Sequence, residues 1–201
     1  HLNQPPAGYR RASDWNSYGL RPPIRMGEFS MPQATFVTLP ETSLLGQTQS
    51  YSCTLEQISV YRAEMRSHFW RQFLHDTESA PRILYGLHQV RSSIDKEDEQ
   101  EILYTTAVPD DDSARNLQTA QKITLEGGDY VQFTYKGPKE KLQEFILVLY
   151  STCMPTLGLT RRAGQDIERF FTRGGKLSRE VNVEVHCEYL IPIRNQGDHS
   201  R

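Results

Sequence analysis

The sequence predicts an α+β domain in which two strand-helix-strand-strand repeats form an antiparallel-rich sheet with two helices on one face. Two segments carry apolar residues at spacings of three and four, which is typical of helices. The extended segments around them occur in a repeating order. Strand, helix, strand, strand is predicted over residues 44–108 and again over residues 129–194. Two such units would combine their strands into one sheet and pack their two helices against one face of it.

The first predicted helix begins at Thr54, a good N-cap residue, with Gln57 in the capping-box position. Trp70 flanks its apolar stripe, which ends near Leu74, and Pro81 ends the helical region. The stripe recurs at threes and fours: Leu55, Ile58, Tyr61 (or Arg62), Met65, Phe69 and Phe73.

Six extended segments are predicted before the second helix: 33–39, 44–52, 82–90, 101–108, 121–125 and 130–136. We expect the third and fourth to form a hairpin across the charged connection at residues 95–99. The fifth and sixth are predicted to form another hairpin, because Gly127-Gly128 supplies a turn between them.

The second predicted helix starts at Gly137-Pro138 and ends at Pro155 and Gly158. Residues 166–171 form a short element that the pattern leaves open as a helical turn or a strand. The apolar stripe of the helix consists of Leu142, Phe145, Ile146, Leu149, Tyr150 and Cys153.

Residues 181–193 alternate cleanly and predict the last strand. One face is apolar and is expected to cover the helices: Val181, Val183, Val185, Cys187, Tyr189, Ile191 and Ile193. The other face carries Asn182, Glu184, His186, Glu188 and Leu190. A flat, wet sheet would explain these polar residues without any site. If the sheet curls, this face becomes a groove for an amphipathic ligand.

Composition excludes several kinds of protein. The 201 residues have a formal net charge of −2, so these residues alone lack the basic excess of a DNA-binding domain. Three widely spaced cysteines show no zinc-ligand spacing, and we expect buried, reduced thiols with no metal and no cofactor. No apolar run is long enough to span a membrane. A cytoplasmic protein with no membrane partner is predicted.

A resemblance to a known family covers nearly the whole chain. Residues 4–11 (QPPAGYRR) look like the tail of an AraC/XylS-type DNA-binding domain. Residues 15–194 resemble the C-terminal domain of one branch of these regulators, which belongs to the GyrI-like superfamily. The resembling runs are 18–23 (YGLRPP), 49–53 (QSYSC), 98–101 (DEQE), 143–147 (QEFIL), 159–162 (LTRR), 164–169 (GQDIER) and 190–193 (LIPI). Arg161 and Arg162 within them are expected at the surface.

The resemblance implies four segments. Residues 1–11 would be the tail of a helix-turn-helix domain, 12–32 a linker, 33–194 the GyrI-like ligand-binding domain and 195–201 a disordered tail. The implied function is effector binding in a bacterial transcriptional activator that controls stress-defence and efflux genes. Its partners would be an amphipathic effector resembling a bile salt or fatty acid, and DNA and RNA polymerase through an N-terminal domain missing from this chain. A monomer is expected.

The same family implies which residues line the ligand cleft. Its last-strand glutamate matches Glu188, although Tyr189 stands one place early, and its helix tryptophan matches Trp70. Parity places Tyr189 on the helix side, which argues against a ligand contact by its ring. Further candidate ligand-binding residues are Tyr51, Tyr104, Tyr130 and His186.

Two other functions stay open. Some GyrI-like proteins are hydrolases of small electrophiles, in which case Glu188 would be the base and Trp70 a wall of the site. Others bind a protein partner, and the acidic run at residues 95–101 would then be the contact surface. Apart from these, no nucleophile elbow, phosphate-binding loop or metal motif is present, so no catalytic residue is assigned.

Overall fold

The computed structural model describes residues 31–54, 66–72, 79–92, 99–111, 120–172, 175–176 and 184–194. Several predicted features lie outside these residues. They are the DNA-binding-domain tail, nearly all of the linker, the early part of the first helix, most of the acidic connection, residues 181–183 at the start of the last strand, and the C-terminal tail.

Ten strands and two helices are described. The strands are β1 (Ala34–Leu39), β2 (Thr42–Thr54), β3 (Ser79–Ala80), β4 (Ile83–Ser92), β5 (Glu99–Pro109), β6 (Gln121–Leu125), β7 (Gly128–Pro138), β8 (Asp166–Phe171), β9 (Gly175–Lys176) and β10 (Glu184–Pro192). Residues 66–72 are helical and are named α1. Helix α2 (142–156) follows a 3-10 turn at Lys139–Lys141. It comprises Leu142–Val148, a π-helical turn at Leu149–Cys153, and Met154–Thr156.

The predicted repeat is confirmed. Eight strands form one sheet in the order β1-β7-β10-β8-β4-β5-β2-β6, and the described pairs are all antiparallel. The first repeat is β2-α1-β4-β5 and the second is β7-α2-β8-β10. In each repeat the third strand lies between the first and the second. The second strands, β4 and β8, therefore meet at the centre of the sheet.

The predicted hairpin between residues 82–90 and 101–108 is confirmed as β4–β5. The predicted hairpin between residues 121–125 and 130–136 is wrong. Strand β6 pairs with β2, whereas β7 pairs with β1 and β10. In this arrangement Leu125 is buried against Leu44 of β2 in an apolar cluster. Residues 166–171 form a strand rather than a helical turn.

The sheet must curl, because β1 and β2 lie six strand spacings apart in it but follow one another closely in the chain. On a flat sheet they would be about 29 Å apart. The step from Leu39 to Thr42 reaches only about 11 Å. The β6–β7 connection lies at the same place, since a Cβ on Gly127 would be 2.8 Å from the Glu41 amide nitrogen.

The two faces of the sheet are covered differently. The helix face carries α1 and α2, and the buried residues Cys187, Tyr189, Ile191 and Ile193 of the last strand pack there with α2, as predicted. The concave face lies inside the curl and includes Glu188. Its apolar cluster consists of Leu44, Leu87, Ala107, Leu125, Tyr130, Ile167 and Leu190.

We expect Gly127→Ala to lower the free energy of unfolding by about 1–3 kcal/mol, because the new Cβ meets the backbone of Leu39–Glu41, which would have to shift to make room for it. Urea unfolding followed by circular dichroism measures the change. An unchanged unfolding midpoint would contradict the close crossing of the two connections.

Candidate functional site

A buried carboxylate, Glu168, lies at the centre of the sheet. Strand β8 places it opposite Gly86 of β4 and Tyr189 of β10, on the helix face. Its side chain is 1% exposed. An ionised carboxylate removed from water in this way needs strong compensating donors.

Arg66 and Tyr104 supply those donors. Arg66 of α1 donates from Nε to Oε2 of Glu168 at 2.9 Å and from Nη2 to Oε1 at 2.6 Å. The Tyr104 hydroxyl donates to Oε2 at 2.8 Å and accepts a hydrogen bond from Trp70 Nε1 at 3.1 Å. Two parallel charge-assisted bonds make the arginine pair strong and directional. We call these four residues the Glu168 cluster.

Electrostatics within the Glu168 cluster define the protonation states. Burial alone would lower the pKa of Arg66, but the negative charge of Glu168 raises it above its ordinary value. Burial and the charge of Glu168 both raise the pKa of Tyr104 well above its ordinary value. At neutral pH, Arg66 is therefore a cation and Tyr104 a neutral donor.

Gly86 leaves the space in which the cluster forms. A Cβ at this position would lie 2.4 Å from the Tyr104 hydroxyl oxygen and 2.7 Å from Glu168 Oε2. A larger residue would therefore displace the hydrogen bond between the two side chains. Glycine is required here for close approach rather than for backbone conformation.

Aromatic rings surround the Glu168 cluster on the helix face. Phe69 of α1 stacks on Tyr104 with ring centroids 6.0 Å apart, and its centroid lies 6.3 Å from that of Tyr51. Trp70 meets Phe170 of β8 edge-on at 6.3 Å. The ion pair is thus little exposed and has aromatic rings next to it, which strengthens its electrostatic interactions.

A second buried acid, Asp166, lies two residues away on the same face of β8. The hydroxyls of Tyr150 and Tyr189 donate to its Oδ2, the latter at 2.9 Å. Arg161 donates to Oδ1 from Nε at 3.1 Å and from Nη2 at 2.9 Å. Arg161 therefore forms an ion pair with Asp166, while 35% of its side chain stays exposed, which agrees in part with its expected place at the surface.

Arg162 is also not a simple surface residue. Its guanidinium lies 5.0 Å from the ring centroid of Tyr130. It donates to the Gly127 carbonyl at 3.2 Å, and so fastens the loop after α2 to the connection between β6 and β7.

The six candidate ligand-binding residues divide between the two faces. Tyr51, Tyr104 and Trp70 come together on the helix face, around the Glu168 cluster. Glu188, His186 and Tyr130 lie on the concave face, where Arg169 Nη2 is 2.6 Å from Glu188 Oε2.

On that concave face, Arg169 also donates to Gln132, and the His186 ring lies 4.8 Å from the Phe171 ring. Glu188 is thus an ion-paired side chain of intermediate burial. Ligand contact by any of the six residues stays a prediction.

Sequence reasoning missed Glu168 and Arg66. Asp166 and Glu168 flank Ile167, so on a strand both carboxylates share one face, next to apolar residues. That spacing is the signal that could have identified a buried acidic pair. It was not usable while the element could equally be a helical turn, in which the two residues would diverge.

Among the described residues, no group of three or more His, Cys, Asp or Glu side chains is arranged to hold a metal ion. Cys153 and Cys187 are buried free thiols. No helix within the described ranges is both long and apolar enough to cross a membrane.

Comparison with known proteins identifies the class. A model of the GyrI-like small molecule binding domain matches residues 32–194, and the chain belongs to this family. The structure of SAV2435 bound to tetraphenylphosphonium has the same fold, with a TM-score of 0.55 and 18% identity over 84% of this chain and 98% of that chain.

Two bacterial proteins are similar in sequence to this chain. The chain is 52% identical over 193 residues to the transcriptional regulator Rob of Salmonella typhimurium, covering 96% of this chain and 67% of that protein. It is 52% identical over 191 residues to the right origin-binding protein of Escherichia coli, covering 95% and 66%. The predicted resemblance is confirmed. The chain spans about two thirds of the length of these relatives.

We expect stability to fall as pH rises above the ordinary tyrosine pKa of 10. The unfolded chain releases the Tyr104 proton there, whereas the folded state retains it, so protons favour the folded state. Tyr104→Phe removes up to about 1.4 kcal/mol of this loss per pH unit. Urea unfolding of the parent and of Tyr104→Phe between about pH 9 and about pH 11 measures how steeply the free energy of unfolding falls with pH. Equal slopes for the two proteins would contradict a raised pKa of Tyr104 in the folded state.

Proposed function

We propose that this chain is the effector-binding regulatory domain of a bacterial AraC/XylS-family transcriptional activator, and that it binds amphipathic small molecules at the Glu168 cluster. The observation that carries the proposal is a buried carboxylate at the centre of the sheet, paired with an arginine from a helix that covers it. Buried, compensated ionic groups surrounded by aromatic rings are characteristic of ligand sites.

Both helices contact β8, and we place the proposed site between them. Helix α1 reaches it through Arg66 and Trp70. Helix α2 reaches it through the Tyr150 contact with Asp166. We call the region between the helices, with Asp166, Glu168 and Phe170 of β8 as its floor, the central groove.

The central groove offers both signs of charge next to apolar surface. An anionic head group, such as that of a bile salt or fatty acid, would pair with Arg66, and a ligand hydroxyl could donate to Glu168. The apolar body would contact Trp70 and Phe170. A cationic amphiphile would instead pair with Glu168 and compete with Arg66 for it.

Binding at Arg66 or Glu168 would loosen the attachment of α1 to the sheet. We infer that this change passes to an N-terminal DNA-binding domain, through which the protein would contact DNA and RNA polymerase. The genes controlled would be those of stress defence and efflux. A relative similar over nearly the whole chain is a transcriptional regulator, which supports a sensor rather than an enzyme. The domain would act as a monomer in the cytoplasm.

Two matched variants test the location of the site. Glu168→Gln frees Arg66 from its ion pair, so cholate and decanoate should bind about tenfold more tightly, a change of about 1.4 kcal/mol. Tetraphenylphosphonium, an aromatic cation, should bind about tenfold more weakly because it loses its counter-ion. Calorimetry and Trp70 fluorescence in a Trp15→Phe background measure the affinities.

Glu188→Gln is the control, because Glu188 is also a partly buried glutamate paired with an arginine, but on the concave face. It should leave all three affinities unchanged. The opposite pattern, with Glu188→Gln altering binding and Glu168→Gln having no effect, would place the site on the concave face. Absence of saturable binding by any of the three probes would contradict an effector site altogether.

A further inference from the structure

Gln143 of α2 carries a buried amide that no described residue satisfies. Both Nε2 and Oε1 are buried, and neither has a hydrogen-bond partner. The residue as a whole is 7% exposed. Burying an amide without a hydrogen-bond partner for its nitrogen or its oxygen lowers the stability of the folded state.

Gln143 lies on the side of α2 that faces the central groove. Residues three and four apart share one side of a helix, so Gln143, Leu147 and Tyr150 lie in one row. Tyr150 reaches Asp166 of β8. Phe145 lies on the opposite flank, where its ring contacts Tyr135 of β7 at 5.0 Å.

The position of Gln143 along the groove follows from strand directions. Strand β7 is antiparallel to β10, and β10 is antiparallel to β8, so β7 and β8 run the same way. Helix α2 returns in the opposite direction. Gln143 lies seven residues before Tyr150, about 10 Å along the axis. That distance corresponds to about three strand residues beyond Asp166, next to Glu168 and Phe170.

Leu147, between Gln143 and Tyr150 in this row, is 43% exposed although it is a large apolar residue. The wall of the groove formed by α2 therefore combines an unsatisfied amide, an exposed apolar side chain and a tyrosine. This combination suits a ligand that is largely apolar but carries a neutral polar group.

We propose that Gln143 is a specificity-determining residue of the effector site and binds a hydroxyl or carbonyl group on the body of the ligand, beyond its charged head. This inference rests on the proposed function. A site built to hydrogen-bond a polar group discriminates against an analogue that lacks it, because the amide is then left unpaired. The preferred ligand class is therefore a hydroxylated amphiphile, such as a steroid carboxylate, rather than a plain alkyl carboxylate.

Gln143→Leu tests this role, because leucine keeps the volume and removes the amide. We expect cholate and ω-hydroxydecanoate to bind at least about tenfold more weakly to the variant. Decanoate, which has no hydroxyl, should bind unchanged. The unfolding midpoint should stay the same or rise, since an unsatisfied polar group has been removed. Calorimetry with each probe and urea unfolding measure the effects.

Gln132→Leu is the matched control on the concave face, where Gln132 accepts a hydrogen bond from Arg169. It should not change the ratio of cholate to decanoate affinity. The role of Gln143 would be overturned if Gln143→Leu and the parent bound cholate with equal affinity. The proposed function would still stand if Glu168→Gln changed the affinities for cholate and decanoate. Failure of the parent to bind any probe would overturn both.

Discussion

The ion pair between Glu168 and Arg66 is the interaction on which the arrangement of the helix face depends. A carboxylate 1% exposed is stable only if its charge is compensated. The compensating arginine comes from α1, so the pair fastens that helix over the centre of the sheet. Removing one partner of such a pair costs about 3–5 kcal/mol, because the other charge is left buried. We propose that a charged ligand exchanges with the same interaction that completes the fold.

The third strands of the two repeats act alike at the centre of the sheet, whereas the arginines that pair with the two buried acids come from different elements. Tyr104 on β5 and Tyr189 on β10 occupy the third strand of each repeat, and each donates to a carboxylate of β8. Glu168 is paired with an arginine of α1, whereas Asp166 is paired with Arg161 of the loop after α2. Asp166 also binds Tyr150 in the π-helical turn of α2. Glu168 therefore anchors α1 on one side of the central groove, and Asp166 anchors α2 on the other side.

Sequence patterns predicted the architecture well because apolar periodicity is local. The faces of the last strand, the order of elements and the β4–β5 hairpin all followed from it. Pairing of β6 with β2 was not predictable in this way, because it depends on the curl that brings the sheet edges together. Glu168 was missed because a six-residue segment with mixed polarity does not define a strand, and without a strand its face is unknown. Its partner Arg66 looked like an ordinary surface residue of a helix.

We propose that the charged centre of the helix face, rather than the ion pair of Glu188 with Arg169 on the concave face, is the functional centre of the domain. A crystal structure of the domain grown with cholate tests this most directly. We expect density for the ligand in the central groove, with its carboxylate next to Arg66 and α1 displaced from Glu168. Ligand density confined to the concave face beside Glu188, with the Arg66–Glu168 pair intact, would contradict it.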